Sequence, residues 1–198
     1  MNKKNGSGAQ RDPNAVHNVV TKFSFATKGG IAAHNPYKVN QDAYLTNPHM
    51  LNLRHCHFFS VCDGHGHNGQ EVSGLLKHRL PFQIEKHLKV GLEKHSMTQY
   101  PDPAVISEHL TRAFADANTE VYRMVSDVRF SGSTCTSMIS YGRKIYCANV
   151  GDSRTILIKA APLVPDGKCL FDLLASSTSD IHLCYCCCYR LYCNGSES

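Results

Sequence analysis

The sequence predicts an α+β domain. Three observations carry the prediction. The apolar run His57–Cys62 is closed by Asp63-Gly64 and has the length of a buried strand. Two stretches with helical spacing follow it, and beyond them the pattern switches to a period of two. Strands, then helices, then a strand meander is the order of an α+β chain.

Taken in order, residues 1–18 are rich in Asn, Gly and Lys and read as a disordered lead-in. Val19–Thr27 alternates as a strand does, with Gly29-Gly30 closing it. Asn40–Thr46 reads as a turn followed by a short strand. Within 69–90, Val72, Leu75, Leu76 and Leu80 fall at helical spacing, and Pro81 divides the stretch into two pieces or kinks it. The strongest helix spans Pro103–Val125, where Ile106, Leu110, Ala113, Phe114, Ala117, Val121 and Met124 share one face. Asp102 suits its N-cap and Pro103 its first turn. Ser133–Ser140, Ile145–Val150 and Arg154–Lys159 then read as three strands of an antiparallel meander, turned at residues 141–144 and 151–153.

At Ala160 the character changes, so the chain divides into a lead-in (1–18), a folded domain (19–159) and a divergent tail (160–198). Leu170–Leu174 reads as the start of a helix. Six of the ten cysteines lie in the last 30 residues, while Cys56, Cys62, Cys135 and Cys147 sit in apolar strand segments as small core residues. Cys184 and Cys187 form a C-x-x-C pair without a second pair at zinc-finger spacing. On a strand, His55 and His57 face away from Cys56 and Cys62, which argues against a zinc cluster there.

The net charge is +5, placed unevenly: residues 1–159 carry +7 and the remainder −2. No Lys/Arg stripe is interleaved with aromatics, so nucleic acid is not the expected partner. No run approaches the roughly 18 apolar residues of a membrane helix, and no apolar leader opens the sequence. The expectation is a monomer of the cytoplasm, the nucleus or both.

Four short motifs are candidates for chemistry. Asp63-Gly64-His65-Gly66 follows an apolar strand: the carboxylate can bridge hard cations, the glycine lets a carbonyl approach them, and the histidine can protonate a leaving group. Asn40-Gln41-Asp42 offers a second carboxylate, and Lys38 a cation for a phosphate. Gly151-Asp152-Ser153-Arg154 offers a third carboxylate at a turn. Ser131-Gly132-Ser133-Thr134 opens the meander. Taken singly, each also reads as ordinary turn chemistry.

In this order, the stretches KVNQDAY (38–44), FFSVCDGHGHNG (58–69), SGSTC (131–135) and IYCANVGDSRTIL (145–157) resemble the PPM, or type 2C, metal-dependent protein serine/threonine phosphatases. The resemblance covers residues 20–159. It implies a β-sandwich of two antiparallel or mixed sheets flanked by helices, with Mg²⁺ or Mn²⁺ ions at one edge. Two ions are implied, with a third in a complete domain. Asp63 would bridge two ions, the Gly64 carbonyl would bind one, Asp42 would lie beside them and Asp152 would help hold the third. A metal-activated water would attack phosphorus, and His65 would protonate the departing serine or threonine oxygen. The family's phosphate-binding arginine is absent from its usual setting upstream of the first acidic motif, and Lys38 is the candidate substitute. Phosphoprotein substrates are implied. The Asp-His-x-Pro stretch, the Asp-Gly pair and the late Asp-Asn pair of the family's C-terminal half have no counterpart, so the expected domain is C-terminally truncated, with unpaired sheet edges. The alternative expectation is a catalytically inactive truncated phosphatase or pseudophosphatase that serves as a binding module.

Overall fold

The computed structural model of the chain describes residues 16–31, 33–93, 100–160 and 171–173. In chain order its elements are β1 (Asp42–Asn47), a 3₁₀ turn (Met50–Asn52), β2 (Cys56–His65), α1 (Gly69–Leu92), α2 (Pro103–Met124), β3 (Gly132–Ser133), β4 (Cys135–Tyr141), β5 (Lys144–Val150), β6 (Ile158–Ala160) and β7 (Phe171–Leu173). An antiparallel sheet runs β1-β2-β4-β5, with β3 pairing the far end of β2, and β6 pairs with β7 in a separate ribbon. An α+β architecture is therefore present. The lead-in before residue 16 and the Cys-rich tail, apart from Ala160 and β7, lie outside the described residues.

The core forms where α1 lies on the sheet. Leu80, Ile84 and Leu88 on α1, together with Cys56, Phe58 and Cys62 on β2 and Ile139 and Tyr146 on β4 and β5, are at most 3% exposed. Burying side chains of this size stabilises by about 1.5–3 kcal/mol each relative to exposure. α2 packs along α1 through Ile106, Leu110, Ala113, Ala117 and Val121. A bidentate ion pair from Arg79 to Glu120, at 2.6 and 2.7 Å, joins the helices, with Gln83 donating to the same carboxylate at 2.8 Å. The Arg79 hydrogen bond holds the Glu120 carboxyl below its usual range.

Several expectations hold in detail. Asp102 caps α2 by accepting from the Ala104 amide at 2.8 Å, with Pro103 in the first turn. The β4–β5 hairpin turns at Gly142, whose φ is +57°. Cys56, Cys62 and Cys135 are buried, whereas Cys147, expected with them in the core, is only half-buried.

Others are corrected. Val19–Thr27 is not a strand: it lies along the sheet and docks by rings, Phe23 at 5.2 Å from Phe59 and Phe25 at 4.2 Å from Tyr44. The apolar strand does not stop at Asp63-Gly64 but runs to His65, because Gly64 and His65 pair with Ser133 and Gly132. Pro81 does not divide its helix; α1 is continuous from Gly69 to Leu92. An interior proline costs about 3 kcal/mol, and the burial of Leu80 and Ile84 beside it offsets that cost. Arg154–Leu157 is not a strand, since hydroxyls rather than a backbone ladder join this segment to its neighbours: Thr155 Oγ1 lies 2.7 Å from Thr136 Oγ1. Of this stretch Ile158–Ala160 forms a ladder, and its partner is Phe171–Leu173, which had read as helical.

Candidate functional site

The site grows from the end of the β1–β2 pair. Register places Asp42 directly opposite Asp63. Like charges facing each other across a ladder repel. Both carboxylates are exposed, and neither has a basic partner among the described residues. This constellation holds together because its backbone is tightly tied. The Gly64 amide donates to the Gln41 carbonyl at 3.2 Å, and the Ser73 hydroxyl on α1 donates to the same oxygen at 2.6 Å. The Gln41 side chain donates to the Gly66 carbonyl at 2.7 Å. Gly64 is enclosed: a Cβ there would meet the Gly69 and Gln41 carbonyl oxygens at 2.4 and 2.5 Å. Gly66 has φ +82° and would carry a Cβ 2.0 Å from the Phe130 carbonyl oxygen, so only glycine fits.

The motif after α2 closes the other side. Thr134 interrupts the ladder between β3 and β4. Its amide donates to the Asp63 carbonyl at 2.9 Å, and its hydroxyl accepts from the Asp63 amide at 3.1 Å. The same hydroxyl lies 2.5 Å from Ser153 Oγ, and Gly151 abuts the Thr134 side chain. Thus Asp152 lies in a loop fastened through the next residue, Ser153, to Asp63's own partner Thr134, although Asp152 itself is exposed. His65 is also exposed; its ring lies against Gly132, whose Cβ would fall 2.8 Å from Nε2. It borders a cavity of about 180 Å³ that is otherwise largely apolar, with Val72, Leu76, Phe114 and Cys135 among its walls. Ser131 anchors this edge by accepting from the Asn68 amide at 2.9 Å.

The structure therefore brings Asp42, Asp63 and Gly64 together and holds the Asp152 loop beside them. It does not tie Lys38 to the group: Lys38 is exposed in the approach to β1, and its ammonium forms no ion pair among the described residues. Sequence reasoning gave no role to Gln41, Ser73, Thr134 and Ser153, which position rather than react. Gln41, Thr134 and Ser153 stood inside short polar motifs, whereas nothing local signalled Ser73.

The donors fit a hard dication in kind, being carboxylate oxygens with a carbonyl alongside. They are few: among the described residues no three His, Cys, Asp or Glu side chains converge as a metal cluster. Beneath Asp63, Cys62 and Cys135 stand opposite each other on β2 and β4. The neighbouring Cys62 thiol, aided by the Ser137 and Ser60 hydroxyls, brings Cys135 down to about 7 against burial. The same neighbour pushes Cys62 up, and burial adds to the rise.

An antiparallel sheet under two helices, carrying opposed aspartates at a glycine-enclosed strand end, defines a class of α+β proteins with an acidic, oxygen-rich site. A family profile described as protein phosphatase 2C matches residues 32–163, and the chain belongs to that family. It is 33% identical over 135 residues to probable protein phosphatase 2C 35 of Arabidopsis thaliana, covering 68% of this chain and 35% of that one. It is 34% identical over 114 residues to probable protein phosphatase 2C 72 of the same plant, covering 54% of this chain and 34% of the relative. Protein phosphatase 2C homolog 3 of Schizosaccharomyces pombe is 37% identical over 118 residues, covering 56% of this chain and 25% of that protein. The chain spans about a third of the length of the first two relatives. No helix among the described residues is long and apolar enough to cross a membrane.

Proposed function

We propose that this chain carries the N-terminal share of a metal-dependent protein serine/threonine phosphatase site. The observation that supports it best is Asp42 facing Asp63 on a backbone tied by Gln41, Ser73 and Thr134. Two carboxylates held face to face without a basic partner among the described residues are stabilised by a cation. The oxygen donors favour Mg²⁺ or Mn²⁺ over zinc or copper.

In this reading Asp63, Asp42 and the Gly64 carbonyl would hold the ions, and Asp152 would hold a further ion from the neighbouring loop. When bound, such ions polarise the phosphoryl group and acidify water. His65 gives a proton to the departing serine or threonine oxygen, as a general acid does. Lys38 draws the phosphate as a point charge. Phosphoproteins of the cytoplasm or nucleus are the substrates, met by a monomer. A second sheet completes a sandwich by covering the face that holds Val61, which is 50% exposed.

A second reading rests on one observation, the shortage of converging ligands among the described residues. It makes the chain a non-catalytic binding module. Mn²⁺-dependent hydrolysis of p-nitrophenyl phosphate by the full chain, with Asp63→Asn as control, separates the two. Activity that the substitution abolishes supports the phosphatase. Equal inactivity of both proteins, with both folded by circular dichroism, overturns it in favour of the module.

A further inference from the structure

Cys62 and Cys135 face each other where β2 passes the break between β3 and β4. The register that pairs Val61 with Thr136 and Gly64 with Ser133 runs through them. Because the Thr134 amide bonds the Asp63 carbonyl, the alternation of an antiparallel ladder makes Cys62 and Cys135 the adjacent non-bonded pair. Such pairs hold their Cα atoms about 4.5 Å apart, inside the roughly 4.4–6.8 Å that disulfides span. Cys56 and Cys147 stand opposite Tyr141 and Met138 across their ladders, not opposite another cysteine. Although Cys62 is 0% and Cys135 4% exposed, Cys135 walls the cavity beside His65 and Thr134. The cavity therefore brings a route for a small solute up to Cys135.

We propose that Cys62 and Cys135 are a modification site, forming a reversible disulfide with a hydroperoxide and stapling β2 to β4 beneath Asp63. The Cys135 sulfur attacks one peroxide oxygen. The O–O bond breaks, and the leaving hydroxide departs as water with the thiol proton, leaving Cys135 as S–OH. The Cys62 sulfur then attacks that sulfur. The S–O bond breaks, the S–S bond forms, and a second water carries off the Cys62 proton. Two thiols lose two electrons in all, and one hydrogen peroxide becomes two waters. A dithiol reductant reverses the change by exchange, becoming oxidised itself. The site stands whether or not the chain is catalytic.

The test treats the full chain with graded hydrogen peroxide, caps remaining thiols with N-ethylmaleimide in denaturant, and maps tryptic fragments without reduction. The expected result is a species joining fragments 55–77 and 130–143, with fragment ions placing the bond at Cys62. It should form at lower peroxide than any bond to the tail cysteines and vanish with dithiothreitol. The preference should also vanish when the chain is unfolded in guanidinium before oxidation, and the species should be absent from Cys62→Ala. The proposal is overturned if fragment 130–143 is recovered as its maleimide adduct, or joined to a cysteine beyond residue 168, at doses that oxidise the tail. The wild-type chain alone decides this, so a misfolded variant does not blunt the test.

Discussion

Gly64→Ala probes how firmly the fold holds the site. The added methyl would lie 2.4 Å from the Gly69 carbonyl oxygen, 2.5 Å from that of Gln41 and 2.8 Å from the Gly69 carbonyl carbon. All three contacts are backbone, so no rotamer change relieves them, and β1 or the start of α1 must move. Overpacking a close-packed region costs about 1–3 kcal/mol, and contact with main chain on both sides puts this case near or above 3 kcal/mol. For a domain of this size each kcal/mol shifts the melting midpoint by roughly 2–4 °C, so a fall of about 6–12 °C is expected. Gly74→Ala is the control: it lies inside α1 with nothing within 4 Å of the added methyl, and the helix should gain about 1 kcal/mol. Thermal unfolding of the full chain, followed by circular dichroism, reads both. A Gly64→Ala variant melting within about 1 °C of wild type would refute the argument that backbone packing around Gly64 fixes the strand end.

Further outcomes follow from the same structure. Asp63→Asn should leave stability within about 0.5 kcal/mol of wild type by urea titration, because its carboxylate is exposed and faces a like charge. Asp102→Ala removes the α2 cap and should cost about 1 kcal/mol in the same titration. Phe58→Ala, at a fully buried position, should cost about 3–5 kcal/mol. For Glu120 the sign follows from its depressed folded pKa, caused first by the Arg79 hydrogen bond. The stability it contributes is complete above the unfolded carboxyl value of 4.5 and is lost as pH falls through the lower folded value. The gap in urea midpoint between wild type and Glu120→Gln should therefore be widest near neutral pH and close in acid; a gap independent of pH would contradict it.

What was legible in the sequence was periodic or capped. The α2 stripe with its Asp102-Pro103 start, and the β4–β5 alternation with its Gly142 turn, are local patterns that their own residues satisfy. The errors lie where a partner distant in sequence decided the outcome. Asp63-Gly64 looks like a stop until Ser133 supplies a ladder for it. Pro81 looks like a break until the sheet buries the residues around it. Phe23 and Phe25 alternate as a strand does, yet they serve as ring anchors. The site divided in the same way. Its carboxylates stood in visible motifs, whereas the Thr134 and Ser73 hydroxyls that position the backbone became evident only through contacts spanning 71 and 32 residues.

The enclosure of Gly64 has a consequence for how this surface can diverge. The shape of the strand end is set by main-chain atoms, while the charges it displays hang outward on side chains that support nothing beneath them. Form and chemistry are therefore separable here. On the proposed function, a single substitution at position 42 or 63 would silence the chemistry and leave the contour intact, still able to meet whatever the reactive version met. A silent look-alike would then be one codon from its working counterpart.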